Sequence, residues 1–265
     1  MPTDGSLTDR SHLGLSIQLV LCCVLIGSVQ SLRAASFKRQ APSSKLDKKE
    51  LKDYIGHMKT DEALKIIGGS LSKPSKMPGW SIGLPAKECK TGGKLQKVQG
   101  SVCYDCYALK GCYVFKVVQD AQYRRLAAIK DPAWVEAMAH LINSKKPDVF
   151  RWHDSGDVQD LDHLNKIYEV CNLTPRKRHW MPTREAWIRD HVSRAPDNLI
   201  IRFSMPMIDQ EPAGSWSHVS TVISKDQPWF GATSKACPAP SQGNQCKSCR
   251  MCWNKDIKNI SYWAH

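Results

Sequence analysis

The sequence predicts an α/β fold, a partial or open (β/α) barrel with parallel strands, followed by a cysteine-rich C-terminal segment. Three observations predict it. Apolar runs of strand length alternate with segments of helical period through the middle of the chain, the rhythm of βαβ units. Three of those runs end in polar residues, as strands do where an α/β sheet presents a ligand mouth. The chain has 265 residues, 42% of them hydrophobic, so one sizeable core can form without covalent staples.

The elements follow in order. KLDKKELKDYIGHMKTDEALKIIGG places Leu46, Leu51, Tyr54, Ile55, Met58, Leu64 and Ile67 on a helical period that breaks near Lys59 and Thr60, with Gly68 and Gly69 as the stop. WSIGLPA is a short strand. YVFKVVQDAQYRRLAAIK and DPAWVEAMAHLINSKK are helices, the second with Asp131 as cap and Pro132 at its first position. VFRWHDSGD is a buried strand running into a loop, DLDHLNKIYEVCNL a helix, RKRHWMPT a strand and REAWIRDHVSRAP a helix. NLIIRFSMP and STVIS are further strands. The chain thus divides into an apolar segment and polar linker (1–45), a helical lead-in (46–79), an α/β core with a first cysteine set (80–236) and a C-terminal cysteine set (237–265).

Between Leu13 and Val29 the N-terminus is dominated by apolar residues. That is long for a signal-peptide core and short for a membrane span, and Asp4 and Asp9 precede it where a signal carries positive charge. An anchor, a weak signal, a buried helix and a dispensable extension all fit. Lysines and arginines follow it, so a spanning segment would leave the downstream chain in the cytoplasm.

Eight of the 11 cysteines fall in two sets. Cys89 is followed by Cys103, Cys106 and Cys112. Cys237, which precedes a proline, is followed by Cys246, Cys249 and Cys252 in a C-x2-C-x2-C run. A core of this size has no need of cystines, and such tight steps suit metal capture in a reducing compartment. An iron–sulfur cubane takes three thiolates from one tight turn and a fourth from elsewhere, which the second set offers with the Cys-Pro placed before the run. Zinc, more often held by two separated C-x2-C pairs, is the alternative metal. The first set has enough thiols to close one site, or to hold a cubane with three and leave Cys112 spare. Tyr104, Tyr107 and Tyr113 would shield it, or simply pack. One or two 4Fe-4S clusters are expected.

The polar strand ends supply the remaining candidates. RWHDSGD carries Arg151, His153, Asp154, Ser155, Gly156 and Asp157, and strand alternation would put Arg151, His153 and Ser155 on one face. The ordinary reading has Asp157 capping the next helix and Asp154 binding local backbone. Thr183 and Arg184 close one later strand, and Arg202 and Ser204 lie on the next. The two arginines are candidates to clamp a carboxylate or phosphate. The net charge of +13 points to a polyanionic partner such as nucleic acid or a nucleotide.

The ordered strings SIGLPAKEC, CYDCYA, FRWHDSGD, PTRE and the late C-x2-C-x2-C-W resemble a family of phage-encoded proteins named gene product 88, from about Trp80 to Trp253. The resemblance implies an iron–sulfur protein with a partial (β/α) barrel, similar to radical S-adenosylmethionine enzymes, in the cytoplasm of an infected cell. Cys89, Cys103 and Cys106 would then be the first-cluster ligands, and Arg151, His153, Asp154, Gly156 and Asp157 the strand-end motif. The usual C-x3-C-x2-C spacing of those enzymes is absent, since thirteen residues separate Cys89 from Cys103. The expected functions are an enzyme that binds S-adenosylmethionine and acts on a nucleotide, nucleic acid or small metabolite, with a protein electron donor, or a non-enzymatic metal-stabilised nucleic-acid-binding or electron-transfer protein.

Overall fold

Seven strands make one sheet. They are β1 (Trp80–Ile82), β2 (Val149–Trp152), β3 (Arg178–Thr183), β4 (Leu199–Ile208), β5 (Val219–Ile223), β6 (Ser234–Ala236) and β7 (Asn259–Trp263), in the order β1-β2-β3-β4-β5-β7-β6. Every neighbouring pair is parallel. The sheet stays open between β1 and β6, which is the open (β/α) barrel expected from the alternating pattern. The computed structural model describes residues 57–224 and 234–264, all within one unit, Ala41–His265. The apolar segment 13–29, the linker to residue 45, Cys22, Cys23 and the start of the lead-in lie outside those residues. Among the described residues no helix is long and apolar enough to cross a membrane.

The helices are α1 (Thr60–Ile66), α2 (Lys90–Leu95), α3 (Lys116–Ala128), α4 (Trp134–Asn143) and α5 (Leu161–Leu173). In α4 only Glu136, His140 and Asn143 escape burial, because α1 and α5 flank it over the sheet. Strand alternation divides the sheet's faces. Phe150 and Trp152 of β2, Met181 of β3 and Leu199 and Ile201 of β4 join α4 and α5 in the main core. On the opposite face Val149 and Trp180 pack with Trp253 and Cys252, so the C-terminal cysteine segment covers what the helices leave bare. A parallel sheet is stable only with both faces covered, and this one recruits a cysteine-rich loop for the purpose.

Three local expectations are corrected. Asp131 does not cap α4. Its Oδ1 accepts from Ala133 N at 2.8 Å in a turn that ends with Ala133 at the cap. Asp160, not Asp157, caps α5 and accepts from His163 N at 2.8 Å. Ala186–Arg194 winds as a 3₁₀ helix, with Ile188 buried and Trp187 and Val192 packed against the main core.

Gly79 stands immediately before β1 at φ +83°, and a Cβ there would lie 2.3 Å from the backbone oxygen of Val149. Gly79→Ala should therefore push β1 off β2 and lower stability by about 1–3 kcal/mol, read as a shift in the urea midpoint of tryptophan fluorescence.

Candidate metal centre

Parallel pairing brings the segments that follow β1, β2 and β3 to one end of the sheet. Cys89 comes after β1, at the start of α2, and its neighbours by charge are Cys103, Cys106, Asp157 and Glu185. Burial pushes the Cys89 thiol far up, and Asp157, Cys106, Cys103 and Glu185 add to it. Cys103 is raised too, mainly by burial, with the Arg184 guanidinium pulling the other way. Three thiols and two carboxylates thus share one mouth. Gly92 faces the sulfurs. A Cβ there would sit 3.1 Å from Cys89 Cβ and 3.6 Å from Cys103 Sγ, so the glycine keeps that flank open. Cys112 stands apart and exposed.

The carboxylates are anchored. Asp157 Oδ1 accepts from Thr183 Oγ1 at 2.7 Å and from Val158 N at 2.7 Å, and Oδ2 accepts from Arg184 N at 2.8 Å. Burial nevertheless outweighs those donors and raises its pKa to about 6. Glu185 accepts from Thr91 N at 3.0 Å, Thr91 Oγ1 at 2.9 Å and Trp187 Nε1 at 3.2 Å. Glu185 thereby ties the start of α2, and with it Cys89, to the end of β3.

The RWHDSGD motif divides differently from strict alternation. β2 ends at Trp152, and His153 takes a left-handed backbone, φ +60°. Its ring turns to the helix side, edge-on to His163 at 5.3 Å and beside Trp152, and burial holds it neutral. Arg151 points to the other face, over the Trp180 ring at 4.9 Å. The expected grouping of Arg151, His153 and Ser155 is thus undone by one dihedral angle. Ser155 Oγ donates to Leu84 O at 2.8 Å and accepts from Gln122 Nε2 at 2.8 Å. Gly156, at φ +78°, lies so close to Leu84 that a Cβ would come within 2.6 Å of the Leu84 Cβ. Both residues hold the β1 loop in place. Asp154 Oδ2 accepts from Ser81 Oγ at 2.9 Å, while its buried Oδ1 has no hydrogen-bond partner.

Cys237, Cys246, Cys249 and Cys252 line a cavity of about 10 Å³ with Pro238, Met251, Trp253 and Ile260. Left-handed residues Gly243, Asn244 and Lys247 curl the segment so that these side chains face inward. Cys252 Sγ lies 3.5 Å from Tyr262 Oη. Among the described residues no three His, Cys, Asp or Glu side chains stand close enough to clasp a single ion. One tetrahedral zinc, with bonds of about 2.3 Å, needs its sulfurs within about 4 Å of one another. Four cysteines around one cavity are a donor set of the kind that either a cubane or a zinc ion takes.

Arg202 corrects the proposed arginine clamp. Its guanidinium donates to five backbone oxygens: Cys252 O (3.2 Å), Ile257 O (2.8 Å), Lys258 O (3.4 Å), Met251 O (3.4 Å) and Asn254 O (2.9 Å). It is fully buried and organises the loop behind the second cysteine set. Ser204 accepts from Ser220 Oγ at 3.2 Å. Arg184 remains at the mouth, with Nε unpartnered.

Contacts of Arg151 and two tyrosines complete the site. Arg151 Nη2 donates to Tyr107 Oη at 3.3 Å and Nη1 to Met77 Sδ at 3.1 Å. Tyr107 Oη donates to Asp154 O at 2.6 Å, and Tyr113 meets Tyr107 edge-on at 5.8 Å. The charge of Arg151 also acts on Cys246 and is acted on by Tyr262. Arg151 therefore stands between the two cysteine sets. The sequence signal for Tyr107 and Tyr113 was their adjacency to cysteines. Tyr262 carried none.

The chain matches the family described as Gene product 88 over residues 48–255, a span that holds both cysteine sets and β1 to β6. No curated protein and no solved structure matches it.

Two outcomes follow from this geometry. Asp157 has a folded pKa near 6, above the ordinary carboxylate value of 3.8. Its protonated form is favoured in the fold, so its contribution is full below about pH 4 and is lost as pH rises through 6. The metal-free protein should lose about 3 kcal/mol over that window, and Asp157→Asn should flatten the profile, measured by urea unfolding against pH. Arg202→Lys, which cannot reach five oxygens, should cost about 3 kcal/mol by the same unfolding measurement.

Proposed function

We propose, for a chain that belongs to the Gene product 88 family, an iron–sulfur protein in which Cys89, Cys103 and Cys106 hold a 4Fe-4S cluster and Cys237, Cys246, Cys249 and Cys252 hold a second. The observation that carries this reading is the separation within the first set. Three thiols share one mouth with Asp157 and Glu185, whereas Cys112 is exposed on the 3₁₀ turn Gly111–Val114. Three protein thiolates leave one iron of a cubane free for a ligand.

A cluster held by these three cysteines would supply one-electron chemistry, and S-adenosylmethionine, which offers an amino and a carboxylate group, is the ligand this reading assigns. The chain's own groups then have distinct duties. Arg184, beside Cys103, offers a cation to a carboxylate or phosphate of whatever binds. Asp157 and Glu185 set the positions of β3 and α2 around the mouth. Tyr107 and Tyr113 restrict water on one side. The substrate class is a nucleotide, a nucleic acid or a small metabolite, with the electron delivered by a partner protein. The cytoplasm of an infected cell keeps such thiols reduced.

A second reading, electron transfer between two closed clusters, draws on the position of Arg151. A third, a metal-stabilised nucleic-acid-binding protein with zinc in place of iron, draws on the +13 charge.

Anaerobic purification should yield about eight irons with equal acid-labile sulfide per chain. Cys89→Ala should remove half of both, and Cys112→Ala neither. On the reduced protein, adding S-adenosylmethionine should shift the electron paramagnetic resonance signal. The same iron with no shift would transfer support to electron transfer, and stoichiometric zinc without sulfide would end the iron–sulfur reading.

A further inference from the structure

Among the described residues, exposed apolar surface is concentrated in one place. Seven of the eight large apolar side chains that stand exposed lie between Val98 and Tyr123, and four of them are the aromatics Tyr104, Tyr107, Phe115 and Tyr123. Tyr104 and Phe115 are more than half exposed, at 57% and 58%. An apolar concentration of this kind marks a contact surface.

These residues belong to one neighbourhood. The 3₁₀ turn Ala86–Glu88 packs on α2 and on the turn Tyr107–Leu109, which packs on the turn Gly111–Val114, which packs on α3. Tyr123 Oη donates to Glu88 Oε1 at 3.0 Å and closes the circuit. The patch borders the mouth, because Tyr104 and Tyr107 follow Cys103 and Cys106 directly and Tyr107 Oη reaches Asp154 O.

Charge identifies the occupant. Between Lys87 and Lys130 eight cations stand exposed, seven lysines and Arg124, against three acids, Glu88, Asp105 and Asp120. Two of those acids are already paired, with Lys110 and Lys116. Protein interfaces favour aromatics and arginine but are depleted in lysine. Lysines interleaved with exposed aromatic faces are instead the equipment of single-strand binding, in which bases stack and phosphates are neutralised. A duplex presents no free base faces to such a platform.

We propose that this surface binds a single-stranded polynucleotide and leads it along the rim of the cysteine mouth. The inference rests on the functional reading only in taking the mouth as the place of chemistry. The binding itself needs no metal. The second basic depression, about 480 Å³ and lined by Arg178, Arg250 and Lys255, has cations but no exposed aromatic side chain, and serves as the internal control.

The test is fluorescence anisotropy of labelled oligo(dT) and oligo(U) with the full chain, in metal-loaded and metal-free forms. Either oligomer should bind in both forms and in preference to duplex, with comparison of the two showing whether DNA or RNA is favoured. Tyr104→Ala and Phe115→Ala should each weaken binding at least about fivefold, the low end of what one stacked base contributes. Lys94→Gln with Lys97→Gln should reduce the slope of log affinity against log salt by about 1.4. Arg178→Gln with Lys255→Gln should leave binding unchanged. Loss through the control pair with none through the aromatic variants, or equal affinity for duplex, would overturn the assignment. So would aromatic variants that keep oligomer binding but lose reduction by an acidic electron-donor protein, which would mark the patch as a protein contact. Iron and sulfide content, measured on each variant, separates failure of this surface from failure of the cluster reading.

Discussion

The parallel register of β1, β2 and β3 is the constraint on which the rest depends. Because the three strands run the same way, whatever follows each of them emerges at one end of the sheet. Cys89 after β1, Asp157 after β2, and Arg184 and Glu185 after β3 have no reason to meet in an antiparallel arrangement. Here they surround a common space. The same parallel pairing demands cover on both faces. The helices supply it on one, and on the other the C-terminal segment does, which is why a cysteine-rich loop lies against Val149 and Trp180.

Two buried polar nodes hold this arrangement, and they act in opposite ways. Arg202 has its guanidinium spread over five carbonyl oxygens, so its charge is spent on orienting the loop from Met251 to Lys258. Its removal would take one donor from each of those oxygens, of which Lys258 O, Met251 O and Asn254 O keep a backbone N–H. Asp157 also accepts three hydrogen bonds, yet its seclusion and the nearby Glu185 still raise its pKa. The first node is electrically satisfied by the backbone alone. The second belongs to the mouth that Cys89, Cys103, Glu185 and Arg184 share.

Arg151 joins the two halves. Its stack on Trp180, its bond to Tyr107 and its charge on Cys246 place one cation between the cysteine sets. Trp180 and Trp253, edge-on at 5.4 Å, form a second contact between the sheet and the C-terminal set.

The sequence by itself determined the class of fold, because apolar alternation and polar strand ends are local properties of short segments. It also determined that the cysteines form two sets, since spacing along the chain limits which thiols share a turn. Only the tertiary structure decided which thiols stand together. Cys112 lies six residues from Cys106, as near as any pairing rule would ask, and yet a 3₁₀ turn carries it to the surface. His153 was separated from Arg151 by a left-handed residue that no pattern of hydrophobicity encodes. Arg202 read as a free cation until the loop more than fifty positions later arrived to occupy it. Glu185, Tyr107 and Tyr262 acquire their duties from partners that other parts of the chain bring. Local pattern is written in neighbours along the chain, whereas the pairing of charges and hydrogen bonds depends on neighbours in space, and those exist only after the sheet has closed its register.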